Sequence, residues 1–453
     1  MSNMLRVTVV MVMSVVAPAV ASAQDRAAFD PTGYWTGAII KDGSVLPLTL
    51  DISADAEGYS AATRFPDWLF YVPKTRERVI LTETGLVVRD LLSGDAVMVL
   101  EPRHEQLTGH LGDDGRKIHL KRSVPPPKPL AVSTDTEFVS ADGTRLSGTL
   151  TLPRDGEMLG GVVMVRGRGC ASRVNGRARF LAEYGMAVLT YDKRGAGDSE
   201  GDCSQFTFGD LVADADAAFR HLLSQPRVDA GRVGFFGESA GAWTVQAATE
   251  RLLGYADGPR PAFIVTWVGP STSILQQQIS SAATYGESIG LTKAQQEVLV
   301  EATRIIADET LSDDAAYARL EAIRLQAERD GWLDRGFGAD DLPRERAEMD
   351  RLWLRRFRYD PSAFLNVMGG FPHLSILGAK DPIVPVAENA QTLRTAAPEA
   401  RVVVLPESGH GYDHDGQVSQ RLDGEPMWVF EGPDVGFMAE TIAFLRDIGI
   451  ASR

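Results

Sequence analysis

The stretch Val233-Gly-Phe-Phe-Gly-Glu-Ser-Ala-Gly241 places one serine, Ser239, between two glycines. Its first half is a short apolar run of the buried-strand type, and a helical pattern follows from Ser239 to Leu253. A serine at such a strand-to-helix turn is typical of the G-x-S-x-G nucleophile elbow, where glycines leave room for the turn and the helix N-terminus favours developing negative charge. A chance match is the alternative, but the surrounding pattern favours Ser239 as a nucleophile.

Similar apolar runs lie on both sides of this stretch, in residues 161–166, 187–191, 263–268, 374–377 and 402–405. Helical patterns separate most of them. This alternation predicts an α/β fold, with parallel strands whose crossover helices cover both faces of the sheet. Two earlier runs, around Glu137 and from Arg145 to Leu152, predict an antiparallel pair that turns at Asp142-Gly143.

Two regions do not follow this alternation. Residues 272–368 carry long, charge-rich helical patterns and no convincing strand, so we expect a helical cap inserted between two strands. Residues 30–121 alternate short apolar runs with turn residues, which predicts a small all-β domain of sandwich or barrel type. Prolines at 125–129 predict an extended linker. We assign residues 24–124 to the all-β domain, 125–132 to the linker and 133–453 to the α/β domain.

The first 23 residues have the pattern of a secretory signal peptide. Arg6 supplies the positive region, residues 7–16 the apolar run and Ala21-Ser-Ala23 the cleavage site. A membrane anchor is the alternative, but a spanning helix needs about 20 apolar residues and this run is shorter. We expect a periplasmic or secreted protein whose mature chain begins near Gln24, with no later membrane span.

A serine nucleophile needs a base within hydrogen-bond reach and a carboxylate that orients the base. His410, in Ser408-Gly-His-Gly411, directly follows the run 402–405, and its small neighbours leave it room to reach Ser239. The alternative base, His414, lies in a pattern typical of a solvated turn. Asp381 follows the run 374–377, where open α/β sheets build their sites. Its alternative role is that of a turn aspartate before proline.

Together, residues 191–201, the elbow 237–241, Gly378-Ala-Lys-Asp381 and Ser408-Gly-His-Gly411 resemble the α/β-hydrolase superfamily. The resemblance covers about residues 134–453 and is nearest to exported serine esterases related to dienelactone hydrolases and prolyl oligopeptidases. It implies the α/β-hydrolase fold, the catalytic chain order Ser239, Asp381, His410 and cofactor-free acyl transfer through an acyl-enzyme. It also implies a lid after the sixth strand, where residues 272–368 fall.

The sequence departs from this family after the third strand. Similar proteins usually carry His-Gly-x-Gly there, whereas this chain has Arg166-Gly-Arg-Gly-Cys170. Backbone donors do not depend on the side chain, so we expect an oxyanion hole formed by the N–H of Ala240 and that of Arg168 or Gly169. The side chains of Arg166 and Arg168 either lie in a solvated loop or face an acidic group of the substrate or the lid.

Composition excludes several other functions. The net charge of −15, from 46 basic and 61 acidic residues, argues against nucleic acid as a partner, because phosphate binding needs clustered positive charge. Neither the two cysteines nor His104, His110 and His119 have the spacing of a metal site, so we expect no metal, and the resemblance implies no cofactor. Cys170 and Cys203 follow strands that the expected fold makes neighbours, which predicts a disulfide in an exported protein.

The sequence thus favours a hydrolase of small-molecule carboxylic esters, with the cap forming an apolar acyl or alcohol pocket. The nearest alternative is an exported peptidase of prolyl oligopeptidase-like type, but no period of about 40 to 50 residues indicates a propeller. A second alternative is a non-catalytic envelope protein whose all-β domain binds a glycan or a partner; the complete serine, acid and histidine set argues against it. Trp35 is expected in the core of the all-β domain. The sequence indicates no oligomeric state.

Overall fold

The structure of the chain is a computed structural model, and it describes residues 29–65, 77–89, 97–113, 115–125, 130–173, 176–333, 342–414, 417–420, 426–428 and 432–451. The predicted signal peptide and residues 126–129 of the predicted linker lie outside these residues. The chain divides into two compact units, with the main boundary between Val124 and Pro125. A strand begins at Ala131, two residues before the predicted start of the α/β domain.

The first unit contains a closed barrel of eight strands in chain order. They are β1 Gly33–Lys41, β2 Ser44–Asp55, β3 Gly58–Arg64, β4 Glu77–Leu81, β5 Leu86–Arg89, β6 Val97–Arg103, β7 Gln106–Leu111 and β8 Arg116–Ser123. Alternate residues of β2, among them Leu48, Leu50 and Ile52, are buried, as expected when one face of a strand lines a barrel interior. Trp35 is fully buried, and its indole Nε1 donates to Pro31 O at 2.9 Å. The all-β prediction is confirmed, in its barrel form.

The second unit is built on an eight-stranded sheet in the order β16-β15-β14-β13-β11-β12-β10-β9. Its strands are β9 Ala131–Val139, β10 Arg145–Pro153, β11 Leu159–Val165, β12 Ala187–Tyr191, β13 Val228–Glu238, β14 Ile264–Trp267, β15 His373–Gly378 and β16 Arg401–Leu405. The pairs β9–β10 and β10–β12 are antiparallel, and all other neighbours are parallel. The predicted hairpin is closed by a hydrogen bond from Gly143 N to Ser140 O at 3.0 Å.

Helices cover both faces of this sheet. The helices of the unit are α1 Gly176–Glu183, α2 Phe208–Leu223, α3 Gly241–Leu253, α4 Ile274–Ser288, α5 Lys293–Ala307, α6 Asp313–Arg329, α7 Trp353–Arg356, α8 Ser362–Val367, α9 Val386–Ala396 and α10 Val435–Asp447. Val163 and Val165 pack with residues of α2 and α3, whereas Val162 and Met164 pack with residues of α1 and α10. This division of alternate residues between two apolar layers explains why the strand is apolar throughout.

The helical cap lies between β14 and β15, as predicted. It comprises α4 to α8 and a 3₁₀ helix, Arg346–Arg351. Its buried residues Leu299, Ile306 and Leu320, all at most 4% exposed, belong to the same apolar cluster as one face of the sheet. Four short strands follow β16 and pair in twos: β17 Asp413–His414, β18 Gln417–Gln420, β19 Pro426–Trp428 and β20 Gly432–Pro433. These features confirm the predicted α/β-hydrolase fold with a helical insertion.

Candidate active site

Ser239 stands at the turn between β13 and α3 in a strained backbone conformation. Its φ is +49°, in the left-handed region that a residue with a side chain rarely adopts. A Cβ on Gly237 would lie 2.8 Å from Gly241 O, and a Cβ on Gly241 would lie 2.5 Å from Val165 O. The two glycines are therefore required for the turn to close, and strain of this kind clusters at functional sites.

His410 and Asp381 meet Ser239 at the carboxyl end of the sheet. His410 Nε2 lies 3.0 Å from Ser239 Oγ, and His410 Nδ1 lies 2.8 Å from Asp381 Oδ2. The carboxyl group of Asp381 is almost fully buried, and its Oδ1 accepts hydrogen bonds from the N–H groups of Ile383 and Val384 at 2.8 and 2.9 Å. With its other oxygen so held, Oδ2 is left to accept from Nδ1–H, which turns the lone pair of Nε2 towards the serine.

The loop that carries His410 is anchored at its base. The hydroxyl of Ser408 donates to the carboxylate of Asp434, the N-cap residue of α10, and Ser408 O accepts from Lys380 N at 2.9 Å. A Cβ on Gly378 would lie 2.5 Å from Ser408 O, so the loops after β15 and β16 approach closely. The alternative histidine, His414, belongs to the short strand β17, and its side chain is outside the described part of the structure.

The loop after β11 passes directly beside Ser239. A Cβ on Gly167 would lie 3.1 Å from Ser239 Cβ and 3.6 Å from its Oγ. The ammonium group of Lys193 donates to Gly167 O and, at 3.4 Å, to Gly169 O, so it spans the carbonyls on both sides of Arg168. Arg168 and Ala240, the residues predicted to supply the oxyanion donors, line one cavity.

A disulfide between Cys170 and Cys203 holds the same loop from the other side. The two Cα atoms are 5.6 Å apart. The bridge joins the loops after β11 and β12, two neighbouring parallel strands. The predicted disulfide is therefore confirmed, and with Lys193 it fixes the segment that contains Arg168 at two points.

Beneath the elbow lies a buried ionic cluster that sequence reasoning missed. The carboxylate of Glu238 is 2.5 Å from Arg177 Nη2 and 3.6 Å from Arg166 Nη1, and it accepts from the hydroxyl of Tyr412 at 3.4 Å. Burial, and then the charge of Glu238, raise the pKa of Tyr412. Arg166, whose side chain is 32% exposed, thus pairs with an acid of the elbow itself, a partner that the sequence did not indicate. A charged residue directly before the serine of a buried turn was the available signal.

The cavity beside Ala240 has a volume of about 460 Å³. Residues of the sheet loops and of the cap form its wall. Aromatic side chains contribute much of it, namely Phe206, Phe208, Trp243, Trp353 and Phe357. Leu211, Leu342 and Leu352 add to this apolar part of the wall, and the cavity differs from the predicted apolar pocket by the basic side chains that also line it. Among them, the guanidinium of Arg168 lies 4.9 Å from the ring centroid of Trp353.

Within the described ranges, no group of three or more histidine, cysteine, aspartate or glutamate side chains is arranged to hold a metal ion. No described helix combines the length and the apolar character needed to cross a membrane.

Comparison with known proteins gives a family match and several distant similarities. The sequence profile described as "Alpha/beta hydrolase family" matches residues 162–421, more than half of the chain, and this range includes Ser239, Asp381 and His410. An uncharacterised protein of Mycobacterium tuberculosis is 34% identical over 131 residues, 28% of this chain and 46% of that protein. The chain therefore spans less than half of this relative's length.

Three solved structures with a similar fold are distant from this chain in sequence. A hypothetical protein of Pseudomonas aeruginosa is 18% identical, with 71% of this chain and 95% of that chain covered and a TM-score of 0.41. An esterase of Pyrococcus furiosus is 17% identical, with 72% of this chain and 96% of that chain covered and a TM-score of 0.38. A puromycin-hydrolysing peptidase of Mycobacterium tuberculosis is 15% identical, with 88% of this chain and 53% of that chain covered and a TM-score of 0.43.

Proposed function

Because the chain belongs to the alpha/beta hydrolase family, we propose that it is a serine hydrolase that cleaves small-molecule carboxylic esters. In this proposal Ser239 is the nucleophile, His410 the general base and Asp381 the acid that orients the histidine. The observation that carries the proposal is the continuous chain from Ser239 Oγ through His410 to Asp381, with contacts of 3.0 and 2.8 Å. Both distances are within hydrogen-bond reach.

The reaction begins when Nε2 of His410 takes the proton of Ser239 as Oγ attacks the ester carbonyl carbon. The resulting oxyanion accepts hydrogen bonds from the N–H groups of Ala240 and Arg168. The bond to the alcohol then breaks, and His410 returns its proton to the leaving alcohol oxygen. A water molecule attacks the acyl-enzyme with His410 again as base, which releases the carboxylic acid and restores Ser239.

Turnover of p-nitrophenyl acetate by single variants tests this assignment. Ser239→Ala and His410→Ala should each lower kcat by about a thousandfold or more, because the triad members act as a unit. His414→Ala is the matched control and should retain most activity. The opposite result for the two histidines would assign the base to His414.

The same preparation separates ester hydrolysis from its alternatives. Faster turnover of aminoacyl p-nitroanilides than of p-nitrophenyl esters would favour a peptidase. A protein that turns over neither and does not react with a fluorophosphonate would favour the non-catalytic envelope protein.

Export of the protein is part of the proposal. The disulfide between Cys170 and Cys203 supports it, because disulfides persist in oxidising compartments. N-terminal sequencing of protein recovered outside the cytoplasm should give a start near Gln24. A start at Met1 would contradict cleavage of the signal peptide.

A further inference from the structure

We infer that the ester substrate carries a carboxylate, which arginines of the cavity beside Ser239 bind. This inference rests on the proposed ester hydrolysis and narrows it to one class of substrate. It follows from the charge of the cavity wall, the partners of the basic side chains and their position relative to the serine.

The wall of the cavity is far more basic than the chain as a whole. The chain has 46 basic and 61 acidic residues. Among the described residues that line the cavity, Glu348 is the one acid, and the bases are Arg168, Lys193, Arg344, Arg351 and Arg356. Positive charge is therefore concentrated at this cavity in a protein that is otherwise acidic, an arrangement that attracts anions selectively to one place.

The arginines that the cap contributes are in no direct ion-pair contact with a carboxylate, although the charges of Glu348 and Asp202 are near them. In the described part of the chain, Arg344, Arg351 and Arg356 form no ion pair within 4.0 Å. Arg356 instead donates from Nη1 to the carbonyl of Phe206 at 2.7 Å. Buried arginines elsewhere in the unit are paired, as in the contact of Arg194 with Asp214 at 2.5 Å.

The single acid of the wall does not cancel this charge. The carboxylate of Glu348 accepts hydrogen bonds from the N–H groups of Arg344 and Glu345 at 2.6 and 3.2 Å. These bonds, and then the charges of Arg344 and Arg351, hold the pKa of Glu348 below its usual range. Glu348 is therefore one fixed negative charge whose carboxylate is already bonded to the backbone, and the wall keeps a positive excess.

The basic side chains come from both sides of the site. Arg344, Arg351 and Arg356 belong to the cap, at or beside the 3₁₀ helix and α7, whereas Arg168 follows β11 in the loop that passes Ser239. A substrate in this cavity thus meets guanidinium groups from the cap and from the loop that passes Ser239. Guanidinium is the side chain best matched to a carboxylate, because its planar fork donates two parallel hydrogen bonds.

Lys193 has a different role from these arginines. Its ammonium group is directed at the carbonyls of Gly167 and Gly169, and burial, followed by the charge of Arg166, lowers its pKa to about 7. Lys193 thus positions the loop that contains Arg168, and the arginines of the cavity bind the substrate carboxylate. The aromatic part of the wall then receives the uncharged body of the ester.

Two pairs of isosteric esters test the inference. In the first pair, 4-acetoxybenzoate carries a negative charge on the alcohol side of the ester, and 4-acetoxybenzamide lacks it. In the second pair, monoethyl adipate carries the negative charge on the acyl side of the ester, and ethyl adipamate lacks it. The wild-type protein should prefer the anionic member of one pair by about tenfold or more in kcat/KM, since hydrogen bonds to charged groups are the strong class. That preference should fall as ionic strength rises.

Replacement of two exposed cap arginines shows whether the preference comes from the cavity. The double variant Arg344→Gln, Arg351→Gln should lose most of the ratio between anionic and neutral ester, and circular dichroism should report an unchanged fold. Arg356 is left in place because its bond to Phe206 O is structural. The matched control is Arg329→Gln, an exposed arginine of α6 in the same cap, which should leave the ratio unchanged.

The outcomes distinguish this inference from the proposed function. Equal turnover of both members in each pair, or an anionic preference that survives in the double variant, would overturn the carboxylate assignment and leave ester hydrolysis standing. If no ester is hydrolysed and no fluorophosphonate adduct forms, ester hydrolysis fails and the inference fails with it.

Discussion

At the scale of single residues, the elbow depends on positions that have no room for a side chain. Gly241→Ala should lower the free energy of unfolding by about 1–3 kcal/mol and reduce ester turnover, because the added Cβ would lie 2.5 Å from Val165 O, a backbone atom of the sheet. Urea unfolding measures the change. Gly231→Ala is the control, since its Cβ would meet nothing closer than 3.5 Å. An equal loss in both variants would contradict the close-approach explanation.

The buried charge of Glu238 gives a second prediction. Glu238→Gln keeps the shape but removes the negative charge that contacts Arg177, whose side chain is 5% exposed, so the free energy of unfolding should fall by about 3–5 kcal/mol. The control Glu183→Gln breaks a half-buried pair with Arg179 one helical turn away and should cost about 1 kcal/mol or less. Similar losses in chemical denaturation of the two variants would mean that the cluster does not stabilise the elbow.

The roles of site residues that lie in sequence motifs were predictable from the sequence. The ion pairs between residues distant in the chain were not. Ser239, Asp381 and His410 each follow an apolar run, so their meeting at one end of the sheet follows from strand order. The partners of Glu238 come from a loop, a helix and a turn, each of which lies far from Glu238 in the chain. Only the folded arrangement brings those charges together.

At the scale of secondary structure elements, β15 contains a histidine that makes the fold sensitive to acid. Burial lowers the pKa of His373 from 6.5 to about 4, and neither of its ring nitrogens has a hydrogen-bond partner in the described structure. The unfolded chain therefore binds a proton more readily than the folded protein. Above pH 6.5 the titration of His373 does not reduce the free energy of unfolding. As the pH falls from 6.5 towards 4, protonation of the unfolded chain lowers that free energy.

His373→Leu should remove this dependence. Relative to the wild-type protein, the variant should gain up to about 3 kcal/mol in free energy of unfolding as the pH is lowered through that window. Ser375→Ala, on the same strand, removes a buried group that is also unpartnered but does not titrate, so its effect should not change with pH. Parallel pH curves for His373→Leu and the wild-type protein would be the contrary result.

The loops after β11 and β12 depend on their disulfide. Replacing both Cys170 and Cys203 by serine should lower the free energy of unfolding by about 3–4 kcal/mol, because the bridge closes a loop of 33 positions. Thermal unfolding of the oxidised protein, the reduced protein and the double variant measures this. Reduction should lower the melting temperature of the wild-type protein to near that of the variant and should leave the melting temperature of the variant unchanged. Equal melting temperatures for the oxidised protein and the variant would refute the stabilising role.

Strands were predictable where their residues are apolar on both faces, as in β11 to β16. In the barrel, β7 and β8 give a weaker sequence signal because only one face of each strand is apolar. Leu107 and Leu111 of β7 and Ile118 and Leu120 of β8 are buried, while polar and basic residues stand between them. Such short, half-polar strands resemble turns in sequence, and pairing with their neighbours gives them their structure.

At the scale of the whole molecule, charge is distributed unevenly. The net charge of −15 is evident from composition, and on that basis the sequence argues against nucleic acid as a partner. The convergence of Arg168 with the cap arginines was not predictable, because it depends on how the cap lies over the loop after β11. The family match begins at residue 162, so the barrel belongs to the part of the chain outside it.

The most direct test of the central claim is the position of a covalent adduct. The purified protein is treated with a fluorophosphonate, digested and analysed by peptide mass spectrometry. A single adduct on Ser239, absent from Ser239→Ala and strongly slowed in His410→Ala, is the predicted result, since only a serine with its base in place is nucleophilic. Adduct formation at another residue, or unchanged labelling of Ser239→Ala, would contradict the assignment of Ser239 as the nucleophile.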